Sequence, residues 1–582
     1  MSDLAQKLQH RLNRLQSDRM NFDIMWDKIA RVVLPSQVGF TSTYAPGTQL
    51  NNDIFDATAQ LALPRFAAAI DTLVTPQTTK WHQLQPKNKA LKQSADVQRF
   101  LSTLNDRLFA VRYAPRANFA SRVAEVYTSM GAFGNGVLYV QDAKPGIRYI
   151  SIHLSEIWFD EDHTGRIDTA FWLHEYTVRQ LFQRYPHAPL TELRARVLKD
   201  EKVLDQKIKV CQAVYPREDR DPKSRDAKNM KFAAVTFALK GMTTSNGGAS
   251  SMPNGSVTVG SANNEPEVIE ESGYRTFPFA VARYVTAPRE IYARGPANDA
   301  YADIKTLQEM SKTLLRVGQL AADPLYLAQD ADAIDPFIAR PGTVNYGYLS
   351  PDGNPRIKTL ELKAETGFTL EMMQQRREAV NAAFLINLFQ VLVDSGSDRK
   401  TATEVMQLVQ EKGALLGPVG SRLRTEFLGT VIEREIDILY SSDVFTIDDV
   451  PQEMLESSTE LDIEYDSPLT RTMKAEEGLG IMRTFEFAIQ AANNGKTDKP
   501  LKKLNFNRAL ERIADVNGAP PDILYSDEEV AAQAQQESQG AALGAAAQAL
   551  PGIASAAKDF AMAGKLQQQG GAPMAPTPAA VA

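Results

Sequence analysis

Apolar residues recur at steps of three and four over the first part of the chain, and this period predicts amphipathic helices. Pro35 and Pro76 should each end a helix, because proline cannot continue the backbone hydrogen-bond ladder. Pro64 predicts a kink or a start within another helix. The predicted helices cover residues 1–16, 22–34, 56–75, 94–113 and 118–134.

Apolar and polar residues alternate after Gly136, which predicts strands in place of helices. Turn residues separate the segments, so neighbouring strands should pair antiparallel. One interval, about 241–266, is rich in glycine, serine and asparagine and should be an exposed, mobile loop. The predicted strands lie within residues 136–141, 146–160, 167–178, 209–218, 230–239 and 265–285. The first half of the chain is therefore predicted to be an α+β region.

Helical periodicity returns after Gly295, so the chain as a whole should be α+β and predominantly helical. Two long helices are predicted, from about Asn298 to Ala322 and from about Glu365 to Val393. Between them, residues 323–362 combine prolines and glycines with short apolar runs, a pattern typical of a small strand-containing segment.

A charged loop should join the second long helix to another helix that begins at Thr401. Thr401 and Glu404 have the spacing of a capping box, which marks a helix start. The preceding "VDSGSDRK" holds residues that favour turns and a charged tip that could not be buried without partners. The loop residues of interest are Asp394, Gly396, Asp398, Arg399 and Lys400. This loop should therefore face something outside the core of the subunit.

Length and charge limit what that partner can be. A chain of 582 residues should divide into three or four structural regions. A net charge of -7 argues against general nucleic-acid binding through excess basic charge, so any DNA partner should be held loosely. The single cysteine, Cys211, excludes an intrachain disulfide and is typical of a reducing cytoplasm. We expect no membrane span, because the longest apolar-looking tract is alanine and glycine with a proline.

An acidic stretch, Asp160 to Phe171, resembles a calcium-binding loop. Asp160, Asp162 and Thr164 stand at ligand positions and Gly165 stands at the turn, but the last position holds Phe171 where a glutamate is needed. The flanking segments are predicted strands rather than helices. We therefore interpret the stretch as the turn of a β-hairpin, and we expect no metal site.

Other apparent motifs also favour structural interpretations. "NNGKT" at 493–497 lacks the first glycine of a phosphate-binding loop, and no predicted strand precedes it. "GAFGNG" at 131–136 lies between a predicted helix and a predicted strand, the reverse of the dinucleotide-binding order. No nucleophile, base and orienting group stand out together. We expect no catalytic residue and no cofactor, so the protein should not be an enzyme.

Five blocks in order nevertheless resemble a known family. They are "MWDKIARVVLPSQ" at 25–37, residues 54–84, "GAFGNGVLYV" at 131–140, "EIYARGPANDAYADIKTLQEMSK" at 290–312, and "RKTATEVMQLVQEKG" at 399–413 with its continuation to 439. Together they resemble the portal, or head-to-tail connecting, protein of short-tailed, podovirus-type bacteriophages. The resemblance implies a ring, typically dodecameric, at one capsid vertex, surrounding a channel through which DNA is packaged and ejected.

The resemblance also implies an architecture of wing, stem, clip and crown. The implied wing covers residues 1–294, and the chain returns to it over 401–472 through a long helix. The stem would hold helices 295–322 and 363–393, with the clip between them at 323–362. The tunnel loop would be 394–400 and the crown 473–530. The tail at 531–582 is of low complexity and is expected to be disordered.

Candidate site residues follow from this architecture. Arg399 and Lys400 of the tunnel loop, repeated around a ring, would form basic belts that face DNA phosphates, or they would pair with Asp398 or lie in solvent at a helix start. Arg376 and Arg377 on the second stem helix would line the channel or form ion pairs between subunits. The candidate docking residues of the clip are Tyr326, Phe337, Arg340, Tyr346, Tyr348 and Arg356.

The implied partners are other copies of the chain, double-stranded DNA bound without sequence specificity, the terminase motor, tail adaptor proteins, and the major capsid and scaffold proteins. The implied location is the portal vertex of the virion, after assembly in the host cytoplasm. Two alternatives stay open: a nucleic-acid-processing enzyme with an unrecognised metal site, and an internal capsid scaffold protein without a channel.

Overall fold

The structure is a computed structural model that describes most of the chain up to residue 328 and shorter stretches beyond. The described ranges, with short gaps, are 2–239, 268–328, parts of 338–359, 366–386, 417–442, 450–457, 461–465 and 480–488, with 490, 509, 510 and 513. The chain divides into two units, Met1–Met473 and Lys474–Ala582. In the second unit, residues 480–488 are helical. The description below concerns the first unit.

Helices form the N-terminal part of the chain, as predicted. The first two predicted helices are one continuous helix, because no glycine or proline interrupts the sequence before Pro35. Helical residues lie on both sides of Pro64, so the alternative of a helix start at that proline is wrong. The four helices are α1 (Ser2–Val33), α2 (Thr58–Val74), α3 (Ala95–Arg112) and α4 (Phe119–Phe133).

All the predicted strands of the first half are present in two antiparallel sheets. The three-stranded sheet has the order β3-β2-β9 and the five-stranded sheet the order β4-β5-β6-β7-β8. The strands are β2 (Asn135–Asp142), β3 (Ile147–Ile152), β4 (Ile157–Glu161), β5 (Ile167–Thr177), β6 (Lys207–Pro216), β7 (Phe232–Ala238), β8 (Val268–Tyr274) and β9 (Phe279–Arg283). The predicted loop at 241–266 lies outside the described residues.

Three elements of this half were not predicted. The helices α5 (Val178–Arg184) and α6 (Thr191–Lys199) lie between β5 and β6. Thr177 and Gln180 form a capping box at the start of α5, a local signal that sequence reasoning could have used. A further strand, β1 (His82–Pro86), precedes α3 and pairs with β12 (Leu461–Tyr465) far along the chain. That pairing has no local signal.

The core follows from the apolar faces of these elements. Leu8, Leu12 and Leu15 of α1 pack on one face of the five-stranded sheet, and α5 and α6 pack on the other. The second half of α1, with α2 to α4, encloses a larger core with the three-stranded sheet, in which Trp26 is fully buried. Burial of these apolar side chains is the main stabilising term.

"GAFGNG" is a tight turn from helix to strand, as predicted. Gly134 ends α4 with a φ of 81°, in the left-handed region that favours glycine. A Cβ at Gly136 would lie 2.3 Å from the carbonyl oxygen of Val126. The motif therefore lets the backbones of α4 and β2 approach closely.

Helices dominate after Gly295, but one of them ends earlier than predicted. The elements are α7 (Pro296–Asp299), α8 (Tyr301–Ala322), β10 (Tyr326–Ala328), β11 (Ile357–Thr359), α9 (Thr366–Ala383), a π-helical turn (Leu423–Leu428), α10 (Gly429–Ser441) and α11 (Gln452–Ser457). The continuous helix predicted from Glu365 to Val393 is wrong, because the chain turns at Phe384 and Leu385. The turn buries Phe384 and Ile386 in the core. The predicted capping box at Thr401 lies outside the described residues.

A buried ion pair joins the two ends of this unit. Arg112 of α3 and Glu435 of α10 are both fully buried, with Nε and Oε1 3.0 Å apart. Tyr149 of β3 donates its hydroxyl to Glu435 at 2.5 Å, and Arg112 donates to Nε2 of His82 at 2.8 Å. Arginine can only donate, so the proton of the neutral His82 ring is on Nδ1. Burial, and then the charge of Arg112, lower the pKa of His82 well below its usual range.

Buried neutral histidines make the stability of the fold sensitive to acid. Burial lowers the pKa of His174 on β5 from 6.5 to about 4. The unfolded imidazole therefore binds a proton between these pH values that the folded one does not. The stabilisation is complete above about pH 6.5 and is lost as the pH falls toward about 4, and it amounts to ~3 kcal/mol for His174 alone.

We therefore expect the urea midpoint of unfolding to fall between pH 7 and pH 5, and to fall less in His174→Asn. The comparison should be made at constant ionic strength. An equal loss in the wild-type protein and the variant would contradict this assignment.

Candidate channel and docking site

The predicted stem helices, α8 and α9, pack against each other. Arg376 of α9 donates to Asp303 of α8 at 2.6 Å, and both side chains are partly exposed. Helix pairs joined by an exposed ion pair gain little stability from it, because water screens the charges. Specific positioning of the pair must come from other contacts.

Those contacts meet at Asp56, just before α2. The Nε and Nη2 atoms of Arg377 donate to Oδ2 of Asp56 at 3.1 and 2.8 Å. Gln308 of α8 accepts from the amides of Phe55 and Asp56 at 2.7 and 2.9 Å and donates to the Asp56 carbonyl at 2.6 Å. Asp56 also accepts from the amide of Thr58 at 2.9 Å, as residues that cap helices do. One buried aspartate therefore ties α2, α8 and α9 together.

The charge state of Asp56 agrees with this arrangement. Burial acts to raise the pKa of its carboxyl, but the hydrogen bonds from Thr58 and Arg377 together outweigh burial. The pKa of Asp56 is consequently held below its ordinary value. The carboxylate is therefore ionised at neutral pH, which is the state that pairs with arginine.

The structure describes two of the predicted channel residues and leaves the loop residues undescribed. Arg376 and Arg377 form their ion pairs within the subunit, while keeping 44% and 38% of their side-chain surface exposed. Their position along a channel stays a prediction. The predicted tunnel-loop residues Asp394, Gly396, Asp398, Arg399 and Lys400 lie outside the described residues.

The predicted clip interval contains a small antiparallel ribbon. Tyr326 to Ala328 of β10 pair with Thr359 to Ile357 of β11, and Leu349 forms an isolated bridge with Pro355. Tyr346 is 86% exposed, Arg340 and Arg356 are also exposed, and Tyr326 is partly so. Phe337 and Tyr348 lie outside the described residues. The described candidates for docking are thus accessible in the subunit.

Apolar side chains on the α8 and α9 pair lack cover in the single subunit. Residues 312–322 of α8 include four leucine and valine side chains, yet none of these eleven positions is buried. On the two helices Leu315, Phe368 and Leu370 are 54%, 65% and 51% exposed. Contiguous exposed apolar surface usually marks a contact with another molecule.

Arginine side chains from other elements bind the carboxylates of the acidic stretch that resembles a calcium-binding loop. Asp160 accepts from Arg11 at 3.1 Å and from Arg14 at 2.8 Å, and Arg283 binds Glu161 and the carbonyl of Gly165. β4 and β5 pair antiparallel on either side, so the predicted hairpin is confirmed. Among the described residues, no group of three or more histidine, cysteine, aspartate and glutamate side chains is placed to hold a metal ion.

Comparison with known proteins agrees with the resemblance read from the sequence. A family model described as "Bacteriophage head to tail connecting protein" matches residues 5–254 and 242–524. The chain belongs to this head-to-tail connecting family. It is 27% identical over 544 residues to the probable portal protein of Bordetella phage BPP-1, covering 92% of each chain. It is 23% identical over 555 residues to the portal protein of Salmonella phage epsilon15, covering 93% of this chain and 94% of that one.

A likeness to a solved structure is weaker. A chain from the neck of an empty GTA particle computed with C6 symmetry aligns with a TM-score of 0.31 and 10% identity, over 73% of this chain and 89% of that chain. This value carries no argument about the fold. None of the helices that the structure describes combines the length and apolar character that a membrane crossing requires.

The junction at Asp56 can be tested in this member of the head-to-tail connecting family. Asp56→Ala removes the acceptor of the Thr58 amide at the start of α2 and leaves Arg377 without its partner, so we expect a loss of about 1–2 kcal/mol in the free energy of unfolding. Asp303→Ala removes only the exposed pair with Arg376 and should cost at most about 1 kcal/mol. Urea unfolding of both variants measures the difference, and equal losses would show that Asp56 holds no special position.

Proposed function

We propose that this chain is a portal protein that forms a homo-oligomeric ring at one capsid vertex. The ring encloses a channel for packaging and ejection of the viral genome, and it offers a docking platform for the terminase and the tail adaptor. The observation that carries the proposal is the match to the head-to-tail connecting family along most of the chain. Relatives named as portal proteins match over more than nine-tenths of their length.

The exposed apolar face of α8 and α9 supports assembly into a ring. Copies of one chain associate in closed symmetric arrangements, and a head-to-tail interface generates a ring when its rotation closes. The apolar residues of α8 and α9 that stay exposed in the single subunit, Phe368 among them, would be covered by the neighbouring copy. Twelve copies are our expectation for the ring.

Charge supports a channel that conducts DNA without gripping it. The chain carries 71 acidic and 64 basic side chains, so a ring of copies repels the duplex broadly. Duplex DNA presents about one charge per 1.7 Å of axis, so a belt of Arg399 and Lys400 would meet a phosphate in any register. Contacts of this kind position the duplex and do not identify its sequence.

We propose that the chain divides into wing, stem, clip and crown at the bounds given from the sequence. The exposed residues of the clip, such as Tyr346, would contact the terminase first and the adaptor later. Contacts with the major capsid and scaffold proteins, the portal vertex as the location, and assembly in the host cytoplasm belong to the same proposal.

The chain would not be an enzyme. Arg11 and Arg14 on Asp160 disfavour the alternative of a metal-dependent nuclease at that stretch, because they neutralise the carboxylate that a metal would need.

The mass of the purified protein in solution, with negative-stain images of the same sample, tests the proposal. We expect a species near a dozen subunits that shows rings with a central hole. A compact dimer that forms no ring at any concentration, and also none when coexpressed with the capsid and scaffold proteins, would contradict the portal function and favour the enzyme.

The tunnel loop is tested separately. Arg399→Ala with Lys400→Ala removes the basic belts, so we expect normal ring assembly but altered packaging or retention of DNA in particles. Lys199→Ala with Lys202→Ala makes the same change in net charge at exposed positions of the first half and should leave both unchanged. Wild-type packaging and retention in the loop variant would remove the channel assignment of Arg399 and Lys400.

A further inference from the structure

The end of α9 is not dictated by its local sequence. No glycine or proline occurs between Phe368 and Asp394, and alanines and a leucine surround Ala383. These residues favour helix. Helix propensity therefore does not explain why α9 ends at Ala383.

The backbone at the stop is strained. Leu385 has a φ of 57°, in the left-handed region that a residue with a Cβ avoids. Its amide donates to the carbonyl of Ala382 at 3.0 Å, three residues back, instead of continuing the four-residue ladder. The other non-glycine residues with positive φ among those described are Asn118 and Arg289, so only Leu385 has an apolar side chain there.

Packing on both sides of Leu385 opposes this strain. Phe384 is fully buried, with its ring edge-on to that of Phe66 on α2 at 6.3 Å between centroids. Ile386 is 4% exposed, so the turn also carries this side chain into the core. A helix continued through Leu385 in its regular conformation would relieve the strain and withdraw Ile386 from its place. Burial of one isoleucine and strain at one residue are of similar size, so the two conformations should be close in free energy.

We propose that Leu385 is a hinge with two conformations: the turn described above, and a straight form in which α9 continues through Leu385. The N-terminal side of the hinge is held in place, because Arg377 is bound to the buried Asp56. The hinge therefore sets the direction in which the chain leaves α9. Its consequence rests on the proposed function: in a portal ring, the chain that leaves α9 leads to Arg399 and Lys400, so the hinge would position the basic belts.

The strain is tested first, by a comparison that needs no ring. Leu385→Ala and Leu385→Gly both lose the leucine side chain beyond the Cβ. They differ in the Cβ itself, which restricts the backbone of alanine and not that of glycine. Glycine tolerates positive φ, so we expect the ratio of folded to unfolded protein to be about 5- to 30-fold higher for Leu385→Gly than for Leu385→Ala. At the exposed helical position Ala382, glycine should instead lower that ratio relative to the native alanine. The same sign at both positions would overturn the hinge.

The two conformations are tested next, by sorting cryo-electron microscopy images of the full-length wild-type protein and both variants into classes. Leu385→Gly should give the turn alone, whereas the wild-type protein and Leu385→Ala, which both carry a Cβ at this position, should show both forms. A turn as the single class in all three proteins would show a fixed corner and overturn the proposal. If no ring forms even with the capsid and scaffold proteins present, the portal function fails, while the stability comparison at residues 385 and 382 still decides the strain.

Discussion

The buried pair of Arg112 and Glu435 is the contact on which the described unit depends most. Its two residues are 323 positions apart, and Tyr149 and His82 complete their hydrogen bonds. Removing one partner of such a pair costs about 3–5 kcal/mol, because a single charge is left in the core. The pair therefore forms only when α3, β1, β3 and α10 are all in place, and it binds the late part of the chain to the early part.

Arginines act in the same way at other junctions. Arg19 of α1 is buried and donates to the carbonyl of Leu154 at 2.8 Å, and Arg283 of β9 binds both Glu161 and Glu426. Their planar guanidinium groups can serve several acceptors at once, which a lysine cannot do as well. The acidic stretch near Asp160 is thereby used for internal contacts. Exposed apolar side chains remain on α8 and α9, Leu315, Phe368 and Leu370 among them, and on β10 at Leu327.

A well-packed core combined with exposed apolar side chains on α8 and α9 suits a subunit of a larger assembly. The membership in the head-to-tail connecting family and the exposed faces of α8 and α9 agree on that point. The position of those two helices is fixed by Asp56 and Gln308, while the strained Leu385 stands where α9 ends. In the proposed hinge, the contacts of Asp56 stay in place while the chain beyond Leu385 changes direction and Ile386 leaves the core.

The sequence by itself determined the helices α1 to α4, the six segments that contain the strands β2 to β9, and the hairpin at Asp162, because periodicity, prolines and turn residues act within a few positions. It did not show that residues 146–160 and 265–285 each divide into two strands, one in each sheet. It also carried the family resemblance, through blocks that keep their order. Tertiary structure alone decided the pairing of β1 with β12, the ion pair of Arg112 and Glu435, and the end of α9 at Ala383. These features depend on side chains that are distant along the chain, and burial of Phe384 and Ile386 overrides the local helix preference. The residues of the candidate channel loop, Arg399 and Lys400 among them, stay a prediction from the sequence, because they lie outside the described residues.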